Sequence, residues 1–231
     1  MHPFYQKPKI VQWTIALLLS AILGVVFYAW FKATVMGIWS ILLIPFLTPF
    51  MQFCCAPLFT LTGVYKYVSP MLLIYSPSAT KYDLHSGTSF DYLTVLGGKM
   101  QGRNYTQVLL SYYLEGLLEI IRETEAGETP EDIQISGTSY FFSENTARRL
   151  GFEFLPPESH LKFNLYLNYI DLLWMYSLSK GKLTFPNLKN AQMAKTTGKQ
   201  LVAHKAVIER LHAYLSKDSQ SLKQGNHLAL S

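Results

Sequence analysis

Two long hydrophobic runs dominate the N-terminal third of the chain. Residues 10–31 contain no charged side chain and lie between Lys9 and Lys32. About twenty apolar residues in an α-helix, at a rise of ~1.5 Å each, cross the ~30 Å hydrocarbon core of a bilayer. Residues 37–64 form a second uncharged run. The pattern therefore predicts a membrane-anchored protein with two transmembrane helices, at residues 10–31 and 37–64.

The second run contains three prolines, Pro45, Pro49 and Pro57. Each proline removes a backbone donor and favours a kink. Irregular backbone is tolerated in lipid only where neighbouring groups satisfy the freed carbonyls, so we expect this segment to pack closely on the first helix. A re-entrant or interfacial segment is the alternative.

The flanking lysines bear on topology and targeting. A signal peptide also begins with positive charge followed by an apolar run, but the run here is longer than a signal core and no small-x-small site follows it before Lys32. An uncleaved anchor is favoured. Lys7, Lys9 and Lys66 outnumber Lys32, so the positive-inside rule predicts that the N-terminus and the soluble part are both cytoplasmic. We therefore expect a multi-pass protein of a cell inner membrane.

Two elements of the soluble part have clear patterns. Residues 71–75 are short, apolar and bounded by prolines, which is typical of a buried strand. Residues 104–125 place apolar side chains at helical spacing and predict an amphipathic helix. Glu119 and Glu123 are four residues apart on its more polar side, which predicts a solvated face.

The remaining patterns are weaker. Residues 133–142 read as extended chain interrupted at Gly137, and residues 144–150 as a short helix. Residues 161–178 fit a strand in their first half or a helix, with a helix favoured for the second half. A basic helix is predicted over residues 187–217, with a break at Gly198 as the alternative. We therefore expect a membrane-anchored α+β fold with an anchor (1–68), a cytoplasmic mixed α+β domain (69–186) and a basic helical tail (187–231).

Charge is segregated along the chain. The formal net charge of the whole chain is +5, but the segments differ. The only charged residues of the anchor are lysines, residues 81–179 have a negative net charge and residues 180–231 have a positive one. We expect the tail to bind anionic lipid head groups, where each Lys or Arg near the surface contributes ~1 kcal/mol. Docking on the acidic middle of this or a neighbouring chain is the alternative. Nucleic acid is not favoured, because basic residues have little aromatic interleaving and no known module is present. The expected partners are the bilayer and a protein subunit or a second copy.

Both cysteines, Cys54 and Cys55, lie in the second apolar run. Adjacent cysteines have a Cα spacing that is short for a relaxed disulfide, so we interpret them as small buried apolar side chains. Absence of cysteine from the soluble part fits a reducing compartment.

The segment around His85 carries the densest set of reactive groups. Asp83, His85 and Asp91 are candidate catalytic residues, because a histidine among carboxylates and hydroxyls can act as a general base or activate a nucleophile. The alternative is that the same residues build a turn whose hydroxyls cap backbone donors.

A short motif occurs twice, fifty residues apart. Consecutive amides near glycine can converge on an anion, so both copies are candidate anion-binding segments, as are Arg148 and Arg149 near a helix start. The copies are Ser86-Gly87-Thr88-Ser89 and Ser136-Gly137-Thr138-Ser139. The alternatives are that the motif recurs by chance, and that the two arginines are exposed on a short helix without binding an anion.

No metal site or cofactor is expected. The histidines are scattered, and none forms a His-x-x-x-His or His-Glu-x-x-His pair. No Walker loop is present.

One stretch resembles a known family. Residues 144–152 read Glu-Asn-Thr-Ala-Arg-Arg-Leu-Gly-Phe, similar to the Asn-x-x-Ala…Gly-Phe stretch of GCN5-related acetyltransferases. That family holds the acyl-CoA pyrophosphate with a Gln/Arg-x-x-Gly-x-Gly/Ala loop ahead of a helix. Here the corresponding residues 101–106 contain a single glycine. The resemblance covers nine residues and implies acyl transfer.

The leading functional hypothesis is a non-enzymatic, membrane-anchored module that acts as an accessory or assembly subunit or as an effector. Three features support it: the strong anchor signal, the segregation of charge along the chain, and the absence of a complete catalytic motif from the sequence. The alternative is a membrane-associated enzyme, acyltransferase-like, that uses the segment from His85 to Asp91. A second alternative is an oligomeric membrane pore. A cavity joining His85 to a carboxylate and to the second motif copy would favour the enzyme.

Overall fold

The computed structural model describes residues 2–96, 102–139, 144–155, 159–188 and 191–228. The chain is mixed α+β, with two apolar N-terminal helices followed by a six-stranded mixed sheet and its covering helices.

The N-terminal helices form a hairpin. Helix α1 spans Lys9–Met36 and α2 spans Ile44–Leu61, with 3₁₀ turns over Ile38–Leu43 between them. The regular part of the second run is therefore shorter than predicted. At the turn, the Trp30 indole N–H donates to the Ser40 carbonyl at 2.8 Å. The expected close packing of α2 on α1 is confirmed.

Both hairpin helices expose large apolar side chains along their length. Ile10 is 81% exposed and Val35 is 73% exposed, near the two ends of α1. By length and composition, both helices could cross a bilayer. Because they are mostly unburied, they are unlike the enclosed core helix of a soluble protein.

A mixed sheet and its helices follow the hairpin. The strands lie in the order β1-β2-β3-β4-β6-β5, and every neighbouring pair is antiparallel except β3 and β4, which are parallel. In chain order the elements are β1 (Tyr65–Ser69), β2 (Leu72–Tyr75), β3 (Lys81–Ser86), α3 (Ser89–Asp91), a π-helical turn (Tyr92–Leu96), α4 (Gly102–Glu125), β4 (Gln134–Ser139), α5 (Glu144–Arg149), β5 (Glu153–Leu155), α6 (Ser159–Leu167), α7 (Tyr169–Lys180), β6 (Gln192–Thr197), α8 (Gly198–Ala203) and α9 (Lys205–Leu228).

Helix α4 packs across one face of the sheet and forms the centre of the main core. Leu109, Leu114 and Ile120 are fully buried, as the helical spacing predicts. Glu123 departs from that pattern, because it is buried and its Oε2 lies 2.7 Å from the Lys66 ammonium on β1. The expectation that Glu123 lies on a solvated face is therefore wrong. The charge of Lys66, which the positive-inside argument above includes, is therefore balanced by the Glu123 carboxylate.

A second, smaller core joins the hairpin to the domain. Phe4, Ala56 and Phe90 are buried together at the junction of an N-terminal 3₁₀ turn (Pro3–Gln6), α2 and α3. The Tyr5 hydroxyl donates to Thr60 at 2.9 Å across the same junction. The hairpin is thus packed into the domain.

The C-terminal segment is not helical in the first part of the predicted range, and α8 begins at Gly198. Residues Gln192–Thr197 form β6, which pairs with β4 on one side and β5 on the other. Tertiary pairing overrides the weak helical pattern here, and the Thr197 hydroxyl caps α8 by accepting from the Gln200 amide at 3.2 Å. The basic helix is confirmed as α8 and α9, and Lys205 contacts Glu125 of the acidic middle at 2.7 Å.

The ambiguous stretch over residues 161–178 is helical in both halves, as α6 and α7. The strand over residues 71–75 is confirmed as β2, and residues 133–142 are strand up to Ser139. Residues 140–143 lie outside the described part.

Candidate functional site

A cavity of about 580 Å³ lies where the two parallel strands end. Ser86 and Gly87 at the carboxyl end of β3, and Thr138 near that of β4, form part of its wall. The carboxyl ends of adjacent parallel strands are the usual ligand sites of α/β sheets. Ligand pockets for small molecules typically enclose about 300–1,000 Å³, so this volume is sufficient for one.

Helices close the cavity, and one of them belongs to the hairpin. Residues of α6 and α7 line it opposite the sheet, and Gln52 of α2 also contributes to the wall. The Gln52 amide donates to the Asn168 side chain, at the start of α7. The second hydrophobic run is therefore part of the site.

Most of the wall is apolar or aromatic. Carbon-rich side chains come from α4, α5, the segment between α5 and β5, α7 and β6, as well as from the strands named above. They include Leu117, Leu150, Phe152, Leu172, Met175 and Ala194.

The first motif copy forms the turn after β3. The Gly87 amide donates to the Met71 carbonyl at 2.8 Å, and the Thr88 amide donates to Asp91 Oδ2 at 2.6 Å. Both amides therefore already have partners within the chain, and Thr88 forms a capping box with Asp91. A Cβ on Gly87 would lie 3.0 Å from the Asp91 Cβ, so the close approach favours glycine here.

The second copy lies inside a strand. Residues Ser136, Gly137 and Thr138 of β4 pair with β6, and the first two also pair with β3. Their backbone is extended and held in the ladder, and Gly137 and Thr138 line the cavity. The two copies meet at one cavity, in different conformations.

His85 and Asp83 lie on the same face of β3. The His85 Nε2 atom is 4.0 Å from Asp83 Oδ2, and the Lys81 ammonium is 3.7 Å from the same oxygen. The Ser136 hydroxyl donates to Asp83 Oδ1 at 3.1 Å. Both Asp83 and His85 line the cavity.

His85 lines the cavity and is not enclosed by it. Its side chain is 47% exposed and its ring packs on that of Tyr75, with ring centroids 5.8 Å apart. Desolvation lowers the pKa of His85 below its usual value, Asp83 opposes the shift and Lys81 adds to it. A neutral imidazole at pH 7 can accept a proton.

Asp91 lies elsewhere, at the junction with the hairpin. It is fully buried, and its carboxylate accepts from the Tyr67 hydroxyl at 2.8 Å and from Thr88. The buried His2 Nε2 lies 3.0 Å from Asp91 Oδ1, although not in the geometry of a directed hydrogen bond. Asp91 is absent from the described cavity wall, so the structure does not join it to His85.

Arg148 and Arg149 also lie apart from the cavity wall. Arg148 forms an exposed ion pair with Glu144, 2.7 Å away and one helical turn earlier on α5. Arg149 is exposed on the same helix.

Asp171 is the functional candidate that the sequence analysis missed. It is 2% exposed, lines the cavity from α7 and accepts from the Ser89 hydroxyl and, at 2.7 Å, from the Trp174 indole N–H. Burial raises the pKa of Asp171, and these two hydrogen bonds oppose the shift. A lone carboxylate within the apolar run at residues 170–178 was the available signal.

Tyrosine side chains cluster beside Asp171. Tyr92 packs edge-to-face against Trp174, with ring centroids 5.5 Å apart, and Tyr92 and Tyr113 both line the cavity. The Tyr92 hydroxyl is buried near those of Tyr105 and Tyr113, without the geometry of a directed hydrogen bond. Burial raises the pKa of Tyr92.

Within the described ranges, no three His, Cys, Asp or Glu side chains are grouped to hold a metal ion. Comparisons with models of protein families, with curated proteins and with solved structures find no match to this chain. Of the stretch that resembles acetyltransferases, Ala147, Leu150 and Phe152 line the cavity. Gln101 lies outside the described residues, and Gly102 begins α4.

Proposed function

We propose that this chain is a membrane-anchored binding module. In this proposal α1 and α2 cross the bilayer as a hairpin, and the sheet domain holds a small, largely apolar ligand as an effector or accessory subunit. The observation that carries the proposal is Gln52, a residue of α2 that forms part of the cavity wall and bonds to α7.

The anchor is supported by the surface of the hairpin. At 28 residues, α1 is about 42 Å long. Ile15 and Leu19 pack on the small core at the junction with the domain, and the part of α1 beyond Leu19 is about 25 Å long, close to the thickness of a ~30 Å hydrocarbon core. Its exposed apolar side chains would otherwise lie in water, at a cost of ~25 cal/mol per Å² of apolar surface. The topology with both ends in the cytoplasm is part of the proposal.

Cysteine labelling tests the anchor, because both native cysteines lie in α2. In a Cys54→Ala/Cys55→Ala background, single cysteines replace Lys7, Val35 or Ser78, and intact cells are treated with an impermeant maleimide. Val35→Cys should be labelled in intact cells, whereas Lys7→Cys and Ser78→Cys should require lysis. Equal labelling at all three positions would contradict a membrane-spanning hairpin.

The binding function is supported by the size and lining of the cavity. A ligand with an apolar body could reach it beside α2, from the bilayer surface. The test is 1-aminoanthracene, a neutral dye whose fluorescence rises in apolar surroundings, with the full chain in phosphatidylcholine nanodiscs and empty nanodiscs subtracted. Decanol should displace it.

A cavity-filling variant makes this test specific. Leu165→Trp places a larger side chain in the cavity wall on α6, whereas Phe163→Trp changes an exposed position of the same helix. Dye binding should fall in the first variant and persist in the second. Equal binding in both would mean that the dye occupies lipid or another surface, and would refute the proposal.

A second candidate function is hydrolysis of an apolar ester. It is favoured by one observation, that Asp83, His85 and Thr138 line the same cavity. In this scheme His85 takes a proton from a water as that water attacks the ester carbonyl, and returns it to the leaving alcohol. Cleavage of p-nitrophenyl decanoate that is lost in His85→Asn and kept in His212→Asn, a control on α9, would support the enzyme. Equal rates in both variants would exclude His85 as the base.

A further inference from the structure

The charges in the cavity wall are of one sign. Asp83 and Asp171 are the acidic residues of the described wall, and neither Lys nor Arg is found there. Lys81 partly compensates Asp83 from 3.7 Å. The hydrogen-bond partners of Asp171, Ser89 and Trp174, are both neutral. An anionic head group would meet repulsion in this cavity.

We infer that the ligand carries a protonated amine on its apolar body, and that the Asp171 carboxylate binds this amine. The inference rests on the proposed binding function and specifies its ligand class. A buried carboxylate without a cationic partner is costly, and an ammonium supplies both the opposite charge and N–H donors.

The surroundings of Asp171 fit an organic cation. Tyr92 lines the cavity with Asp171, and its ring packs on Trp174, which donates to Asp171, so the wall beside the carboxylate is aromatic. A metal ion is not favoured, since no group of three suitable ligands occurs among the described residues. The predominantly aliphatic and aromatic wall requires that the remainder of the ligand be apolar.

The experiment compares three ten-carbon probes that differ only in head-group charge. Decylamine, decanol and decanoate compete with 1-aminoanthracene for the full chain in phosphatidylcholine nanodiscs at pH 7.5, where the amine is protonated. Decylamine should bind about tenfold or more tighter than decanol, because a charge-assisted hydrogen bond contributes at least one decade of affinity. Decanoate should bind more weakly than decanol.

Asp171→Asn provides the decisive variant, because asparagine keeps an oxygen for the Ser89 and Trp174 hydrogen bonds and removes the charge. In this variant decylamine should bind no more tightly than decanol. Asp83→Asn is the matched control, since Lys81 already neutralises Asp83, and should retain most of the preference.

The outcomes separate the two proposals. If decanol displaces the dye and decylamine is no tighter, or if Asp171→Asn keeps the amine preference, the inference is wrong and the binding module stands. If no probe displaces the dye, the proposed function itself is wrong.

Discussion

The interaction of Tyr67 with Asp91 should have a large effect on stability. Asp91 is fully buried, and the Tyr67 hydroxyl lies 2.8 Å from each carboxylate oxygen. Tyr67→Phe removes this donor and leaves the ring in place. Hydrogen bonds to charged groups contribute about 1.5–3 kcal/mol, and Thr88 still donates to Asp91, so we expect a loss of about 2 kcal/mol.

The assay is thermal unfolding of the full chain in detergent, followed by circular dichroism. For a chain of this length, 1 kcal/mol shifts Tm by about 2–4 °C, which predicts a decrease of about 4–8 °C for Tyr67→Phe. Tyr75→Phe, on the neighbouring strand, is the matched control, because Tyr75 is 46% exposed and water can solvate its hydroxyl. A decrease below 1 °C in Tyr67→Phe, or an equal decrease in Tyr75→Phe, would refute the assignment of Asp91 to a structural junction.

Three further changes should alter stability in stated directions. Gly87→Ala should lower Tm, since its Cβ would lie 3.0 Å from the Asp91 Cβ and overpacking costs about 1–3 kcal/mol, whereas Gly24→Ala, with open space around it, should not. Asp171→Asn should raise Tm at pH 7.5, and the difference from the wild type should disappear on acidification. Burial raises the folded-state pKa of Asp171, so protonation of Asp171 stabilises the wild type at low pH. That stabilisation is lost as the pH rises through the folded-state pKa. His85→Gln should lose less stability than the wild type between pH 7.5 and 5.5, because desolvation lowers the folded-state pKa of His85 and protons then favour the unfolded chain. Melting curves at several pH values check the last two, and parallel curves for variant and wild type would contradict them.

Elements with strong local patterns could be predicted from the sequence. The apolar runs predict long helices by their length, and β2 and α4 show patterns that predict buried elements. Asp83 and His85 are close because residues two apart in a strand share a face, but the sequence analysis did not predict that strand.

The sequence pattern does not determine features that depend on distant contacts. Asp91 follows a turn, and its orientation depends on His2 and Tyr67, which no local period reveals. Asp171 reads as one polar residue in an apolar helix until the sheet and Trp174 enclose it. The segment that forms β6 has a weak pattern of its own, and pairing on both sides makes it a strand.

The junction also predicts that the domain depends on its anchor. Phe90 is buried against Phe4 and Ala56, and Gln52 forms part of the cavity wall, so removing the hairpin exposes apolar surface and opens the site. A chain that begins at residue 64 should therefore aggregate, or fail to bind 1-aminoanthracene, while the full chain in nanodiscs binds it. Gel filtration and dye titration of the two chains make the comparison. A soluble shortened chain with unchanged Tm and dye affinity would mean that the hairpin only tethers an independent domain, and that Gln52 contributes nothing to the site.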